Sequence, residues 1–354
     1  MMRKTENLKV KTLSEKKREL KIGLALGKGA ARGFAHIGVL KVLEKHGIMP
    51  DMIAGCSAGS AIGALYASGM KARLVQKNLA SIDWKEMFDF VIPENGLIKG
   101  KKFEDFIGLL TQHKDFADLD IPLFIIATNL TQKKKALFFK GDVARAVRAS
   151  IALPGIFDPI IINGDEYVDG GLVDPIPVGV LRDNGADIII AVDLSSELKQ
   201  MTVQDKHVKL KKDFIELMQE KMVIAEVDII KELLKAKNLA KRFIPKLLRN
   251  LFHQIKIFLI DRFIRPGFVF AYFSKSHVPK ILSTMYTAID IMEDEFTQVK
   301  LCNENIDVII KPTFNKGGWT DMDKADYFVQ RGAAATQLKI SQIKKAIKRA
   351  KIPC

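Results

Sequence analysis

Four apolar runs punctuate the chain: Ile22-Gly23-Leu24-Ala25-Leu26, Met52-Ile53-Ala54-Gly55-Cys56, Ile121 to Leu130, and Asp187 to Leu194. Each is apolar nearly throughout instead of alternating, the pattern of a strand buried on both faces of a parallel sheet. Stretches with helical spacing lie between them, at about 32–46, 57–69, 142–151 and 176–184. Strands alternating with helices predict an α/β chain with a mostly parallel sheet. Leu137-Phe138-Phe139 is expected to begin a hairpin partner of the 121–130 strand, and residues 71–120 are expected to be mainly helical. Residues 197–282 read as helical. The C-terminal part reads as a helix at 283–298, a strand at 306–311, and helices at 323–331 and 333–350.

The strand at 52–56 runs into Gly55-Cys56-Ser57-Ala58-Gly59, the G-x-S-x-G form of a nucleophile elbow, in which a sharp strand-to-helix turn exposes the serine hydroxyl. Small residues from Ala58 to Ala67 let the following helix pack close to the sheet. The bland reading is a tight connection around a buried serine. Thirty residues earlier, Gly27-Lys28-Gly29-Ala30-Ala31-Arg32-Gly33 follows the first strand. Its backbone N–H groups can face a developing oxyanion, helped by the dipole of the helix that follows. A dinucleotide fingerprint is the rival reading, but its third glycine falls at Arg32, and Asp51 precedes a strand where the fingerprint's acid should end one. Asp169-Gly170-Gly171 adds a carboxylate in a tight turn. Together these segments point to acyl-ester hydrolysis by a serine–aspartate pair.

The chain resembles the patatin-like phospholipase family in its bacterial form. The resemblance is carried by Gly27 to Leu40, Gly55 to Gly59, Ala149 to Phe157 and Asp169 to Pro177, in the family's order, over roughly residues 21–195. It implies a three-layer fold with a mostly parallel central sheet flanked by helices. It also implies a catalytic dyad of Ser57 as nucleophile and Asp169 as general base. The oxyanion hole would come from Gly27, Lys28, Gly29 and Ala30 with Arg32, and Gly55, Ala58, Gly59, Gly170 and Gly171 would support the motifs. Lys28 interrupts three glycines that are often consecutive in the family; backbone donors remain, so no loss of function is expected from it. A catalytic histidine is the mechanistic alternative. His207, His253 and His277 follow Asp169 but lie in basic, irregular sequence, and His36 is expected to be structural.

The 354 residues can hold one large core with an appendage. Cys56, Cys302 and Cys354 are too few and scattered for a disulfide framework, no metal-ligand spacing or calcium loop appears, and no cofactor is expected. The start of the chain has no apolar stretch of signal-peptide type, and no run of about 18 apolar residues occurs, so a cytoplasmic, peripherally membrane-associated protein is expected. The net charge of +15 is uneven: residues 1–21 carry +5, 241–275 carry +7 and 338–354 carry +6, leaving −3 for the remainder. The expected organisation is a basic extension at 1–20, a catalytic core at 21–196, a basic amphipathic insertion at 197–282, and a completing part at 283–354.

In the 241–275 segment, Leu248, Leu251, Phe252, Ile255, Phe258 and Leu259 share one helical face, with basic residues largely elsewhere. That pattern fits docking on an anionic phospholipid surface; an ordinary core-packed helix is the alternative. Nucleic-acid binding is not expected, since no recognition motif is present. Lys133-Lys134-Lys135 reads as a solvated turn, Arg145 and Arg148 as exposed, and Asp174 as a loop-supporting or capping residue. The resulting expectation is a hydrolase of phospholipid or lysophospholipid esters acting through an acyl-serine. The alternatives are a broad carboxylesterase or thioesterase, or a vestigial lipid-binding regulator.

Overall fold

Five apolar strands form the parallel part of one sheet: β1 (Ile22–Leu26), β2 (Met52–Cys56), β3 (Leu123–Asn129), β7 (Ile188–Val192) and β8 (Val308–Ile310), adjacent in the order β3-β2-β1-β7-β8. In this computed structural model, residues 20–84, 86–89, 95–195, 278–316 and 321–351 are described. Three antiparallel strands extend the sheet: β4 (Lys134–Phe138), β5 (Ile160–Ile162) and β6 (Asp165–Asp169).

Successive strand residues face opposite sides, so each buried strand feeds two cores. Leu24, Leu26, Ile53, Ile125, Ile190 and Val192 join one large cluster. Helices α1 (Ala35–Lys45), α2 (Ala58–Ala67), α3 (Ala72–Ala80), α4 (Lys101–Leu110), α5 (Val143–Ser150) and a C-terminal helix, α8 (Ala325–Ala350), also contribute to it. Ala25, Ala54, Ile189 and Ala191 face the other way and pack with Val178 and Leu181 of α6 (Val178–Asp183). Leu301 of α7 (Val278–Asn303) lies against that second cluster. The result is the expected three-layer arrangement, helices on both faces of a mostly parallel sheet. Each fully buried Leu or Ile contributes about 1.5–3 kcal/mol, so the larger cluster dominates the apolar stabilisation.

The C-terminal residues complete the sheet and cover it, since β8 pairs with β7 and α8 lies across α1. Two separate helices were expected from 323 on, with a break near Gly332. The structure has one helix after a short 3-10 turn, because Gly332 is a contact and not a breaker. A Cβ there would lie 2.0 Å from the Ala35 carbonyl oxygen, and one on Gly38 would lie 2.0 Å from that of Val329. The two glycines let the helix backbones meet.

Other expectations also change. Among the described residues of 71–120, only α3, α4 and a 3-10 turn at Phe116–Asp118 are helical. The β5–β6 hairpin was not anticipated, although Asn163-Gly164 signals it: both residues have positive φ, 53° and 87°, as a type I′ turn demands. Lys134 and Lys135 lie in β4 instead of a turn, and Lys135 reaches the buried Asp174 at 3.1 Å. Lys300 pairs with the same carboxylate, so Asp174 caps no helix. Arg148 is buried, not exposed: its guanidinium donates to the carbonyls of Lys99 and Asp158 at 2.5 and 2.6 Å and stacks on Phe157. Its long stem and five donors let it tie three segments together from inside. Residues 1–19 and 196–277, which include the basic extension, the 241–275 segment, His207, His253 and His277, lie outside the described residues.

Candidate active site

Register brings the two candidate residues together. β3 pairs with β2 up to Ile126↔Cys56, and with β6 from Ala127↔Asp169 onward. β4 lines the opposite edge on both sides of that change, from Ile125↔Phe138 to Asn129↔Lys134. A strand residue has one neighbour on each side, so β2 and β6 must share one edge of β3, end to end. The residue after β2 is Ser57, and the residue ending β6 is Asp169. Their side chains meet where the two strands abut: Ser57 Oγ donates to Asp169 Oδ2 at 2.7 Å.

Ser57 sits at a strained position, with φ 52° and ψ −123°. The left-handed region is uncommon for a residue with a Cβ, and strain of this kind persists only where the surroundings over-determine it. Several contacts do so here. A Cβ on Gly59 would lie 2.1 Å from the Leu26 carbonyl oxygen, so α2 starts tight against β1 only because that position is glycine. The Ser57 carbonyl accepts from Ser60 Oγ at 2.6 Å, and the Ser57 N–H donates to Ser150 Oγ at 2.8 Å. Ser150 in turn donates to the Ile126 carbonyl at 2.6 Å.

Asp169 is buried and held on three sides. Its N–H donates to the Ala152 carbonyl at 2.9 Å, its carbonyl accepts from Thr128 Oγ1 at 2.7 Å, and its Oδ1 accepts from the Gly171 N–H at 2.8 Å. Only Oδ2 is left for the serine. Burial is the largest influence on this carboxyl and pushes it up, and the charge of Glu293 adds to that. The Gly171 N–H, the Ser57 hydroxyl and Lys28 oppose, and the net position is about 7. An aspartate in this range is a competent base near neutral pH.

The glycine turn is narrower as a donor site than its sequence suggests. The Gly27 N–H donates to the Val192 carbonyl at 3.2 Å, and the Lys28 N–H to that of Pro175 at 2.9 Å. Both are therefore spent on anchoring the turn. Among the described residues, the N–H groups of Gly29 and Ala30 have no acceptor, and both residues line the cavity beside Ser57. Arg32 also lines the cavity, with its guanidinium 5.9 Å from the Phe314 ring centroid. His36 is fully buried, and its Nε2 donates to the Gly27 carbonyl at 2.8 Å. Burial outweighs that bond and pushes the imidazole down to about 4, so it stays neutral and braces the turn, far from a base's role.

The cavity has a volume of about 540 Å³. Ser57, Asp169 and the glycine turn form its polar end, and Ile62, Trp84, Phe103, Leu153 and Phe157 line an apolar arm. Sequence reasoning did not anticipate the contribution of α7. Lys28 Nζ lies 2.8 Å from Asp290, 2.8 Å from Glu293 and 3.2 Å from Asp294. Burial pushes the Lys28 ammonium down, but the three carboxylates outweigh it and the net shift is upward. Tyr286 of α7 also reaches the cavity. The signal available in the sequence was the 290, 293, 294 spacing, which sets three acids on one helical face.

Residues 24–182 match the family described as patatin-like phospholipase. The lysophospholipase NTE1 of Scheffersomyces stipitis is 36% identical over 182 residues, 49% of this chain and 12% of that protein. Its counterpart in Candida albicans is 36% identical over 182 residues, 49% of this chain and 13% of that protein. The chain thus spans only about an eighth of the length of these curated relatives. The solved structure of VipD from Legionella pneumophila aligns with 90% of this chain and 66% of its own, at 13% identity and a TM-score of 0.41. The match to the patatin-like phospholipase family covers residues 24–182, fewer than half of the 354, and includes both Ser57 and Asp169.

Proposed function

We propose that the chain is a serine hydrolase of phospholipid or lysophospholipid acyl esters, working through the Ser57–Asp169 dyad. The observation that carries this reading is the 2.7 Å hydrogen bond from Ser57 Oγ to a buried carboxylate, in a cavity lined largely by apolar side chains. The family of residues 24–182 and the lysophospholipase relatives support the substrate class.

The proposed steps use this geometry. The acyl chain lies in the apolar arm, with its ester carbonyl over Ser57. Ser57 Oγ attacks the carbonyl carbon while Asp169 Oδ2 takes the hydroxyl proton. The N–H groups of Gly29 and Ala30 stabilise the oxyanion, with the positive end of the following helix behind them. The intermediate collapses, the C–O bond to the lipid alcohol breaks, and Asp169 returns its proton to that alcohol. Water then attacks the acyl-serine, Asp169 takes a proton from it, and fatty acid leaves as Ser57 regains its hydrogen. The basic 241–275 segment would hold the enzyme on anionic lipid while this occurs.

Purified protein incubated with mixed anionic and zwitterionic vesicles tests the reading, with released fatty acid and lysolipid measured by mass spectrometry. Release by the wild type, lost in Ser57→Ala and Asp169→Asn, is the expected result. Equal release from Ser57→Ala would overturn it.

A further inference from the structure

A second carboxylate stands beside the dyad and takes no part in the steps above. Glu293 comes from α7, more than a hundred residues past the matched domain, and its side chain is 8% exposed. One oxygen, Oε2, lies 2.8 Å from Lys28 Nζ. The other, Oε1, is buried with no hydrogen-bond partner. It sits against Gly171, the residue whose N–H holds Asp169: a Cβ built on Gly171 would be 2.5 Å from Glu293 Oε1 and 3.3 Å from Asp169 Oδ1. The two carboxylates are therefore within about 6 Å of each other across a glycine that offers no side chain to separate them.

A buried carboxylate that leaves an oxygen without a donor is costly, and a buried Met or Leu would hold α7 in place at less expense. Its position offers a reason for keeping it. Negative charge this close, in a site screened from water, makes a neighbouring carboxylate a better proton acceptor, and the charge of Lys28, paired with Glu293 Oε2, restrains the effect.

We propose that Glu293 is a positioning residue for the dyad: its charge, held against Gly171 by Lys28, sets how readily Asp169 takes the proton of Ser57. The inference rests on the hydrolase reading above. The other charged groups around the pair are already engaged or more distant. Asp290 and Asp294 share Lys28, Asp174 is held by Lys135 and Lys300, and Asp321 is held by Lys324. Arg32 lies over Phe314. Burial pushes Glu293 itself up, against the pull of Lys28.

The test is the rate of fluorophosphonate labelling at Ser57, from about pH 5 to about pH 9, on the full chain. Labelling requires an activated serine and expels fluoride, so its rise with pH reports the base. In the wild type the midpoint is expected near the position of Asp169, at about 7. Glu293→Gln should move it down by about one pH unit, and Lys28→Met should move it up. Glu293→Asp, which keeps the charge, should stay near the wild type and serves as the control for folding. If Glu293 merely pins α7, breaking the pair from either side gives the same loss of rate with no opposite displacement, and the proposal fails. An unmoved midpoint in Glu293→Gln, with the wild type labelled, overturns this proposal and leaves the hydrolase reading standing. A wild type that is neither labelled nor able to cleave esters overturns both.

Discussion

Ser150 stands behind Ser57 as its backbone anchor: its hydroxyl accepts the Ser57 N–H at 2.8 Å and donates to the Ile126 carbonyl at 2.6 Å. All three groups are at the junction where β2 and β6 both end, and Ser150 is fully buried. Ser150→Ala leaves a buried donor and a buried acceptor without partners, at about 1–3 kcal/mol. The expected outcome is a thermal midpoint lowered by several degrees and slower labelling of Ser57, as the strained elbow loses one of its restraints. A thermal scan and a labelling time course at one pH check it; an unchanged midpoint would show that water or a shifted backbone replaces the hydroxyl.

Asp169 also links activity to stability. Its folded position, at about 7, lies above the ordinary carboxylate value of 3.8. The folded protein therefore holds a proton there that the unfolded chain has given up, and the stability from this group is fully present below about pH 4 and lost as pH rises through about 7. The proposed hydrolysis runs the other way, because it needs the base form. Asp169→Asn should abolish ester cleavage, and its thermal midpoint relative to the wild type should rise between about pH 5 and about pH 8. Paired melts at the two pH values decide the matter; a gap that does not change with pH would place the carboxyl at its ordinary value.

Local chemistry made most of this site readable in the sequence. The elbow, the glycine turn and the Asp-Gly-Gly turn each demand particular residue types within a few positions, so Ser57, Asp169 and the turn stood out by spacing, while the family resemblance implied the role of Gly29 and Ala30. What spacing could not supply was partnership across the fold. Gly27 and Lys28 looked like donors, but their N–H groups go to the carbonyls of Val192 and Pro175, which only the sheet brings near. Arg148 looked exposed on a short polar helix, yet its partners are carbonyls from segments ten and forty-nine residues away. Glu293 belongs to a helix that reads as ordinary amphipathic sequence until Lys28 is seen between its acids.

The crossing of α1 and α8 is a fold-level dependence on two glycines. Each would place a Cβ about 2.0 Å from a backbone oxygen of the other helix, and a backbone cannot yield as a flexible side chain can. Gly38→Ala and Gly332→Ala are each expected to cost about 1–3 kcal/mol or more by forcing the helices apart. The double variant should cost less than the two together, because a separation opened by one methyl accommodates the other. Chemical denaturation of the four proteins in the cycle gives the coupling, and simple additivity would argue against a shared contact.

The charge of the 241–275 segment makes a separate prediction. Polybasic surface segments gain about 1 kcal/mol per Lys or Arg near an anionic membrane, and salt weakens that gain. Replacing Lys246, Arg249 and Lys256 by Gln in the full chain should sharply reduce sedimentation with anionic vesicles, while hydrolysis of a soluble short-chain ester stays near the wild type. Vesicle binding that is insensitive both to these changes and to salt would assign membrane contact to another part of the chain.

The apolar arm should act as a ruler for acyl chains. Each methylene moved from water into it is worth about 0.8 kcal/mol, or roughly fourfold in kcat/KM, for as long as the cavity has room. A series of esters of increasing chain length should therefore climb in regular steps and then level off, and the levelling point measures the usable depth. Ile62 lies on α2 one turn beyond Ser57 and lines the arm. Ile62→Trp fills part of it, so the plateau should arrive several carbons earlier, while the shortest esters, which never reach that depth, keep their rate. A uniform loss at all lengths would instead mean that the tryptophan disturbs the elbow, and a series with no dependence on length would mean that the chain does not bind in this cavity.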